Sequence, residues 1–200
     1  MFKITNRIVR SHKKRTKEVK GLVIHYISAV NIDPDDPYNI DEIINIFNTY
    51  GVSADYLVGR DGTIFRLVPE DHYSYHAGVS VFPDGSHSLT GSGKKTVNEI
   101  SIGIELVGYY NIQYTEEQYN SLKELTLYLK EKHPTLSFDH IYGHEHVAIP
   151  LGRKKDPGPS FDWSKYINLL KNPEIKINEP PKKLNILDLI KKFLLQFLNK

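Results

Sequence analysis

The sequence predicts an α/β domain in which a single mixed central β-sheet is flanked by helices. Two observations carry this prediction: apolar runs with the period of strands alternate with segments of helical period, and the helical segments begin at capping residues. Alternation of strands and amphipathic helices along a chain is typical of one sheet covered by helices. With 200 residues, the chain has room for one main domain and a short additional segment.

Four apolar runs predict most of the strands. They cover residues 21–27, 55–59, 63–68 and 138–142. In the first run, His25 lies on the face that also carries Val23 and Ile27, because side chains alternate along a strand. A histidine in such a strand is usually a hydrogen-bonded core residue, so the strand pattern alone leaves its role open.

A fifth strand, residues 100–107, shows a clean alternation. Ser101, Gly103 and Glu105 lie on the face opposite its isoleucines. Small side chains at 101 and 103 predict open space beside Glu105, which suits a general base held on a rigid strand. The alternative is a glutamate at the strand edge that pairs with a nearby Lys or Arg.

Helical spacing of apolar residues predicts three amphipathic helices in the domain. The first follows the N-cap Asn39 and ends at Gly51, and the second begins at the capping-box residue Thr115 and ends before Pro134. The third covers residues 162–170, where the single tryptophan is expected to anchor the helix to the core. We expect these helices to cover the sheet and assign them no chemistry.

The composition limits the partners and the compartment. The net charge is only +2 and no base-stacking or helix-turn-helix pattern occurs, so no nucleic-acid partner is expected. Cysteine is absent, so a bound metal would need His, Asp or Glu. The N-terminal segment lacks the apolar run of a signal peptide, and we expect synthesis in the cytoplasm. Its basic run, residues 12–15, is interpreted as a solvated loop or, alternatively, as a contact for an anionic envelope surface.

The segment from His140 to Trp163 concentrates histidine, charge and proline. A rigid loop that carries imidazole and carboxylate groups can hold a borderline metal ion such as zinc. Lys154 and Asp156 are two residues apart, so in an extended loop both side chains point the same way. The alternative is a polar surface loop with an ordinary Pro/Gly turn.

Five segments of the chain carry a family resemblance. They read GLVIHYISA, VSADYLVGRDGTIFRLVPE, YHAGVS, NEISIGIELVGYY and GHEHVAIPLGRKKDPGPSFDW. In sequence and in order, across most of residues 20–167, they resemble the type-2 N-acetylmuramoyl-L-alanine amidases, which share the peptidoglycan-recognition-protein fold. This collinearity is more specific than any single motif.

The resemblance implies a zinc site. By the family's register, the ligands are His25, His144 and Asp156. His146 is a competing ligand that ranks second, and His140 and His146 are better interpreted as supporting or structural residues.

The resemblance also implies the groups that act on the substrate. Glu105 is expected to take a proton from the water that attacks the lactyl-alanine carbonyl and to pass it to the leaving amine. Lys154 is expected to stabilise the oxyanion. His76, in the HAG segment, and Asn98 are the expected substrate-binding residues.

In one place the chain departs from part of the family. Some phage amidases carry a catalytic tyrosine where this sequence has Ala54, and many relatives have histidine where Asp55 stands. Tyr56 is one residue out of register and faces the opposite side of its strand. A tyrosine-based mechanism is therefore not expected.

The main functional expectation is a zinc-dependent peptidoglycan amidase of a phage or prophage endolysin. It would act on the cell wall after release or holin-dependent export. The alternatives are an amidase that recycles soluble muropeptides in the cytosol and a peptidoglycan-recognition module without catalysis. Such modules usually lack part of the zinc triad, whereas this chain retains all three positions.

The sequence divides into four regions. These are a basic N-terminal segment (1–20), the amidase domain (21–170), a Pro/Lys-rich linker (171–183) and an amphipathic C-terminal helix (184–200). The apolar stripe of the last region needs a cover. We expect either packing against the domain or a second copy, or insertion into the interface of an anionic membrane.

Overall fold

The computed structural model describes residues 3–85 and 96–174 of the chain. The strands are β1 (Ile4–Asn6), β2 (His12–Lys14), β3 (Gly21–Ile27), β4 (Tyr56–Val58), β5 (Ile64–Arg66), β6 (His72–Ser74), β7 (Ser101–Val107) and β8 (Ile141–Gly143). The α-helices are α1 (Ile40–Tyr50), α2 (Thr96–Ile100), α3 (Glu116–Lys132), α4 (His144–Val147) and α5 (Trp163–Lys171). A 3₁₀ turn, Phe138–His140, precedes β8.

Six strands form one mixed sheet in the order β1-β5-β4-β7-β3-β8. The β4–β5 pair is antiparallel, while β3, β7 and β8 run parallel to one another, so the predicted mixed α/β architecture is confirmed. A second, two-stranded sheet of β2 and β6 was not predicted. The parallel strands bring their carboxyl ends to one edge of the sheet, where ligands of open α/β sheets commonly bind.

The two faces of the sheet bury different clusters. One face carries Leu22, Ile24 and Ile104 against α3 and α5. The other face carries Leu57 and, with α1, forms a smaller cluster. His25 and Glu105 lie on this second face, because they alternate with the first set along β3 and β7.

The helix boundaries follow their caps. The side chain of Asn39 accepts hydrogen bonds at the start of α1, and Gly51 closes that helix with a positive φ of 65°. The predicted capping box at Thr115 is present at the start of α3. Asp162 is the N-cap of α5, so this helix begins one residue later than predicted.

Two predicted strands begin later than the sequence indicated. Ile100 is the last residue of α2, and the strand starts at Ser101. Residues 138–140 form a 3₁₀ turn because the side chain of Ser137 caps the amide of Asp139, so only β8 remains of the predicted strand 138–142.

The interpretation of residues 12–15 as a solvated loop is wrong. His12–Lys14 form β2, and the guanidinium of Arg15 is buried, 3.1 Å from the Asp55 carboxylate. Upstream, β1 pairs with β5 at the edge of the main sheet. The boundary predicted after residue 20 therefore falls inside the folded unit rather than between two regions.

The predicted C-terminal helix, residues 184–200, and most of the predicted linker lie outside the described residues. Within the described ranges, every helix is too short or too polar to cross a membrane.

Candidate metal centre and active site

Three predicted ligand residues meet at the carboxyl edge of the sheet. His25 is near the end of β3, and His144 begins α4 directly after β8, the parallel neighbour of β3. Asp156 arrives from the loop between α4 and α5. One ligand atom from each of the three residues lies within 4.8 Å of the others, and all three residues are buried. In the described part of the chain, this is the group of histidine and acidic side chains arranged to hold a metal ion.

The loop that carries Asp156 is held from two sides. The hydroxyl of Tyr114 donates to the carbonyl of Pro157 at 2.8 Å, and the amide of Glu145 donates to the carbonyl of Asp156 at 2.9 Å. Gly143 allows this close approach, because a Cβ there would lie 2.6 Å from Pro157 Cδ. Tyr114 carried no signal for this role in the sequence, since the contact joins residues 43 apart.

Hydrogen-bond directions at His144 test whether the cluster fits a cation. Nε2 of His144 lies 3.0 Å from the carbonyl oxygen of Ala77, which can only accept, so this nitrogen carries the proton. In a neutral ring the other nitrogen, Nδ1, then presents its lone pair to Asp156 Oδ2 at 3.0 Å. Two acceptors that face each other in a buried site are stabilised by a positive charge between them, which a proton or a metal ion can supply. Two imidazole nitrogens and one carboxylate oxygen form a ligand set that zinc accepts with a position left open.

The protonation states support the same ligand set. Burial lowers the pKa of His25 to about 4, against the opposing effect of the nearby Asp156 carboxylate, so the imidazole is neutral at pH 7. Burial alone would raise the pKa of Asp156. The contacts with the His144 and His25 imidazoles outweigh burial and hold this pKa well below its usual range. Neutral imidazole and ionised carboxylate are the forms that coordinate a metal.

Glu105 lies beside the three predicted ligand residues, on the strand next to that of His25. It is the register partner of His25 across β7 and β3. Its Oε2 atom is buried and has no hydrogen-bond partner among the described residues. Burial, and then the charge of Asp156, raise the pKa of Glu105 well above its ordinary value. A carboxylate with a free oxygen and a raised pKa is suited to accept and return a proton.

A cavity of about 410 Å³ opens over these groups. Its walls include His25, Glu105, His144 and Asp156, together with the side chain of Lys154. The structure therefore brings all five predicted metal and catalytic residues to one cavity. Lys154 is exposed and contributes a positive charge to the lining of the cavity.

The two predicted substrate contacts are placed differently. His76 lines the cavity but is buried beneath it, with Nδ1 3.1 Å from Nε2 of His25. Asn98 is buried behind the HAG segment, and its side-chain oxygen accepts from the amide of Ala77 at 2.7 Å. This position does not support a substrate contact for Asn98. The prediction of open space beside Glu105 is wrong. A Cβ on Gly103 would lie 2.8 Å from Cβ of His76, so the glycine makes room for the His76 side chain.

The other histidines of the segment 140–163 lie away from the ligand cluster. Nδ1 of His146 accepts from the amide of Gly143 at 2.9 Å, and its ring lies 5.5 Å from that of Trp163. His140 lies 2.9 Å from the carboxylate of Asp84. Both positions agree with a structural role.

Ala54, Asp55 and Tyr56, the positions where the sequence departs from part of the family, are buried and have structural roles. Ala54 is fully buried in the cluster beneath α1, and Tyr56 packs on the opposite face of the sheet. The carboxylate of Asp55 accepts from Arg15, Ser74 and the amide of Gly103. None of these three residues lies among the side chains that line the cavity.

An α/β sheet that holds a buried cluster of potential metal ligands beside a glutamate with an unbonded oxygen is suited to a metal-assisted hydrolase. Residues 15–159 match the model of one family, described as N-acetylmuramoyl-L-alanine amidase. The chain belongs to this family.

Relatives and solved structures extend the assignment. The 1,6-anhydro-N-acetylmuramyl-L-alanine amidase AmpD of Enterobacter cloacae is 39% identical over 76% of this chain and 73% of the relative. The enzyme of the same name from Escherichia coli K12 is 39% identical over 74% and 73%. A crystal structure of AmpD aligns with a TM-score of 0.68 and 31% identity over 84% of this chain and 94% of that chain. The names of these relatives agree with the family assignment as an amidase.

The expectation of an enzyme that acts on the cell wall after release or holin-dependent export is wrong. These relatives are named as amidases of a 1,6-anhydro-N-acetylmuramyl compound, not as wall-lysing enzymes. The basic N-terminal segment, which was alternatively interpreted as a contact for an anionic envelope surface, is part of the fold, because the Arg15 side chain is buried there and Ile4–Asn6 extend the sheet.

Proposed function

We propose that this protein is a zinc-dependent amidase that cleaves the bond between the lactyl group of muramic acid and L-alanine in soluble 1,6-anhydro muropeptides. The observation that carries the proposal is the convergence of the His25, His144 and Asp156 ligand atoms within 4.8 Å, in a buried site beside Glu105, whose Oε2 has no hydrogen-bond partner among the described residues. The substrate class is supported by the names of the relatives that share about two fifths of the aligned residues.

When bound, zinc supplies Lewis-acid polarisation to the reacting water and carbonyl. Glu105 accepts the proton of the attacking water and returns it to the nitrogen of the leaving alanine. Lys154 places positive charge where the carbonyl oxygen becomes negative. Burial of the three ligand residues limits how much bulk water reaches their ligand atoms.

The first experiment measures the metal. The purified protein is expected to contain about one zinc per chain, as the three-ligand set requires. Asp156→Asn keeps the shape of the side chain but removes its charge, so zinc content and turnover should both be lost. Asp162→Asn is the matched control, because Asp162 only caps α5 and asparagine caps equally well. Full turnover after exhaustive chelation would contradict zinc dependence.

The second experiment measures substrate choice. Mass spectrometry should detect the anhydro sugar and a peptide with a free N-terminal alanine when a soluble 1,6-anhydro muropeptide is supplied. Intact sacculi should release much less product at the same enzyme concentration. Equal or faster cleavage of sacculi would contradict the proposed substrate class, and binding without cleavage would indicate a recognition module.

A further inference from the structure

A chain of three hydrogen bonds leads from His25 into the protein. Nε2 of His25 lies 3.1 Å from Nδ1 of His76, and Nε2 of His76 lies 3.3 Å from the hydroxyl oxygen of Ser101. The Ser101 hydroxyl in turn donates to the backbone carbonyl of Val97. His25, His76 and Ser101 are all buried, so water does not compete for these bonds.

The last bond fixes the direction of the other two. A carbonyl oxygen has no proton, so the single proton of the Ser101 hydroxyl goes to Val97. The oxygen of Ser101 must then accept the proton of His76 Nε2. A neutral His76 is left with a lone pair on Nδ1, and His25 must donate to it through Nε2. The remaining nitrogen of His25, Nδ1, is therefore free of a proton and faces Asp156 Oδ2 at 2.8 Å.

We propose that His76, held by Ser101, is a positioning residue that fixes the tautomer and ring orientation of His25 for metal binding. The inference rests on the proposed zinc dependence and goes beyond it, because it assigns His76 to the ligand rather than to the substrate. Hydrogen bonds from a ligand histidine to an outer partner commonly set which nitrogen binds the metal.

Two further features show that the site is built around this contact. Position 103 on β7 is glycine, and a Cβ there would lie 2.8 Å from both Cβ and Nδ1 of His76, so a larger residue would displace the ring. The carbonyl of the next residue, Ala77, accepts from Nε2 of His144. The His76 side chain thus orients His25, and the Ala77 carbonyl orients His144. In both rings Nδ1 points towards Oδ2 of Asp156.

Zinc affinity, measured by competition with a chromophoric chelator, tests the proposal without relying on turnover. His76→Leu and His76→Asn form a matched pair of equal size. Asparagine can place an acceptor near the position of Nδ1, whereas leucine cannot. We expect His76→Leu to weaken zinc binding about 10- to 100-fold, the usual effect of losing an outer partner, and His76→Asn to retain most of the affinity. Ser101→Ala should also weaken binding.

A control variant and a spectroscopic measurement complete the test. Thr126→Val removes another buried hydroxyl contact, the one with Tyr166, and should leave zinc affinity unchanged. In the zinc-loaded wild-type protein, nitrogen NMR should show a slowly exchanging proton on Nε2 of His25. This measurement needs no substitution, so it remains decisive if a variant fails to fold.

The outcomes separate this inference from the proposed function. If the wild-type protein binds no zinc, the proposed function is overturned together with the inference. If the wild-type protein binds zinc and His76→Leu binds it equally well, only the role of His76 is overturned. A proton on Nδ1 of His25 in the zinc-loaded protein would overturn it too.

Discussion

His25 on β3 and Glu105 on β7 are register partners on adjacent parallel strands. Paired residues of neighbouring strands point to the same face of a sheet, so the two side chains enter one cavity from a rigid base. The distance between ligand and carboxylate is thereby set by the spacing of two strands rather than by mobile loops. Pre-organisation of this kind is what proton transfer requires.

Glu105→Gln should reduce turnover by roughly 10²-fold or more, because the amide keeps the shape of the side chain but cannot accept a proton. Zinc content should not change, since Glu105 is not one of the clustered ligands. Steady-state kinetics and metal analysis of the same preparation check both statements. Glu145→Gln removes a carboxylate next to His144 that does not line the cavity, and it should retain normal turnover. Near-normal turnover of Glu105→Gln would require another base.

Lys154→Met should lower turnover by about 10²-fold, the typical effect of removing one group that stabilises an oxyanion. KM and zinc affinity should change little, because the lost charge acts on the transition state. Lys155→Met is the control: Lys155 also lines the cavity, but its ammonium group lies 5.7 Å from the centre of the Tyr110 ring. If both substitutions lower turnover equally, the effect is one of general positive charge, and Lys154 has no special role.

Arg15→Met should destabilise the protein by roughly 3–5 kcal/mol, because it leaves the buried Asp55 carboxylate without its cation. Arg15 also donates to the backbone carbonyls of Asn98, Glu99 and Ser101. Urea unfolding gives the free energy. Lys14→Met should change it little, because Lys14 is exposed and lies 4.0 Å from Asp71. Equal stability of the two variants would show that Arg15 does not support the fold.

Tyr56 should make the protein lose stability at alkaline pH. Burial raises the pKa of this phenol to about 12, so the fold favours the neutral form. Its contribution is complete below pH 10 and is lost as the pH rises from about 10 to 12. Between pH 9 and 11.5 the wild-type protein should lose about 2 kcal/mol more than Tyr56→Phe. Urea unfolding at both values measures this difference.

Tyr50→Phe is the control for that comparison, because its ring is 70% exposed. It should lose as much stability as the wild-type protein over the same pH interval. The contribution assigned to Tyr56 is refuted if Tyr56→Phe and Tyr50→Phe behave alike.

The sequence predicted the parts of the fold that depend on local patterns. The caps Asn39 and Thr115 and the alternation in β7 are written in neighbouring residues, so they could be recognised directly. Strands β1, β2 and β6 were missed because each has three residues and forms only through a distant partner. A run of two or three polar residues contains no period from which a strand can be inferred.

The site was also predictable only in part, because several of its contacts join residues that are distant in the sequence. The resemblance supplied His25, His144 and Asp156, which the fold then brings together. The role of Gly103 could not be predicted, because a glycine on a strand does not indicate which side chain packs against it. The structure shows that this side chain is His76. The contact of Tyr114 with Pro157 likewise has no counterpart in any local pattern.

Arg15 has a consequence for any attempt to shorten the protein. The family match starts at this residue, which suggests a convenient place to begin a minimal version of the enzyme. However, the guanidinium binds the backbone from which Ser101 projects, and its own chain is held in place by the pairing of β2 with β6. A gene trimmed to the matched region would keep every catalytic side chain and still lose the strand that holds Arg15. Libraries and fusions of this enzyme should therefore vary or extend the chain upstream of Ile4.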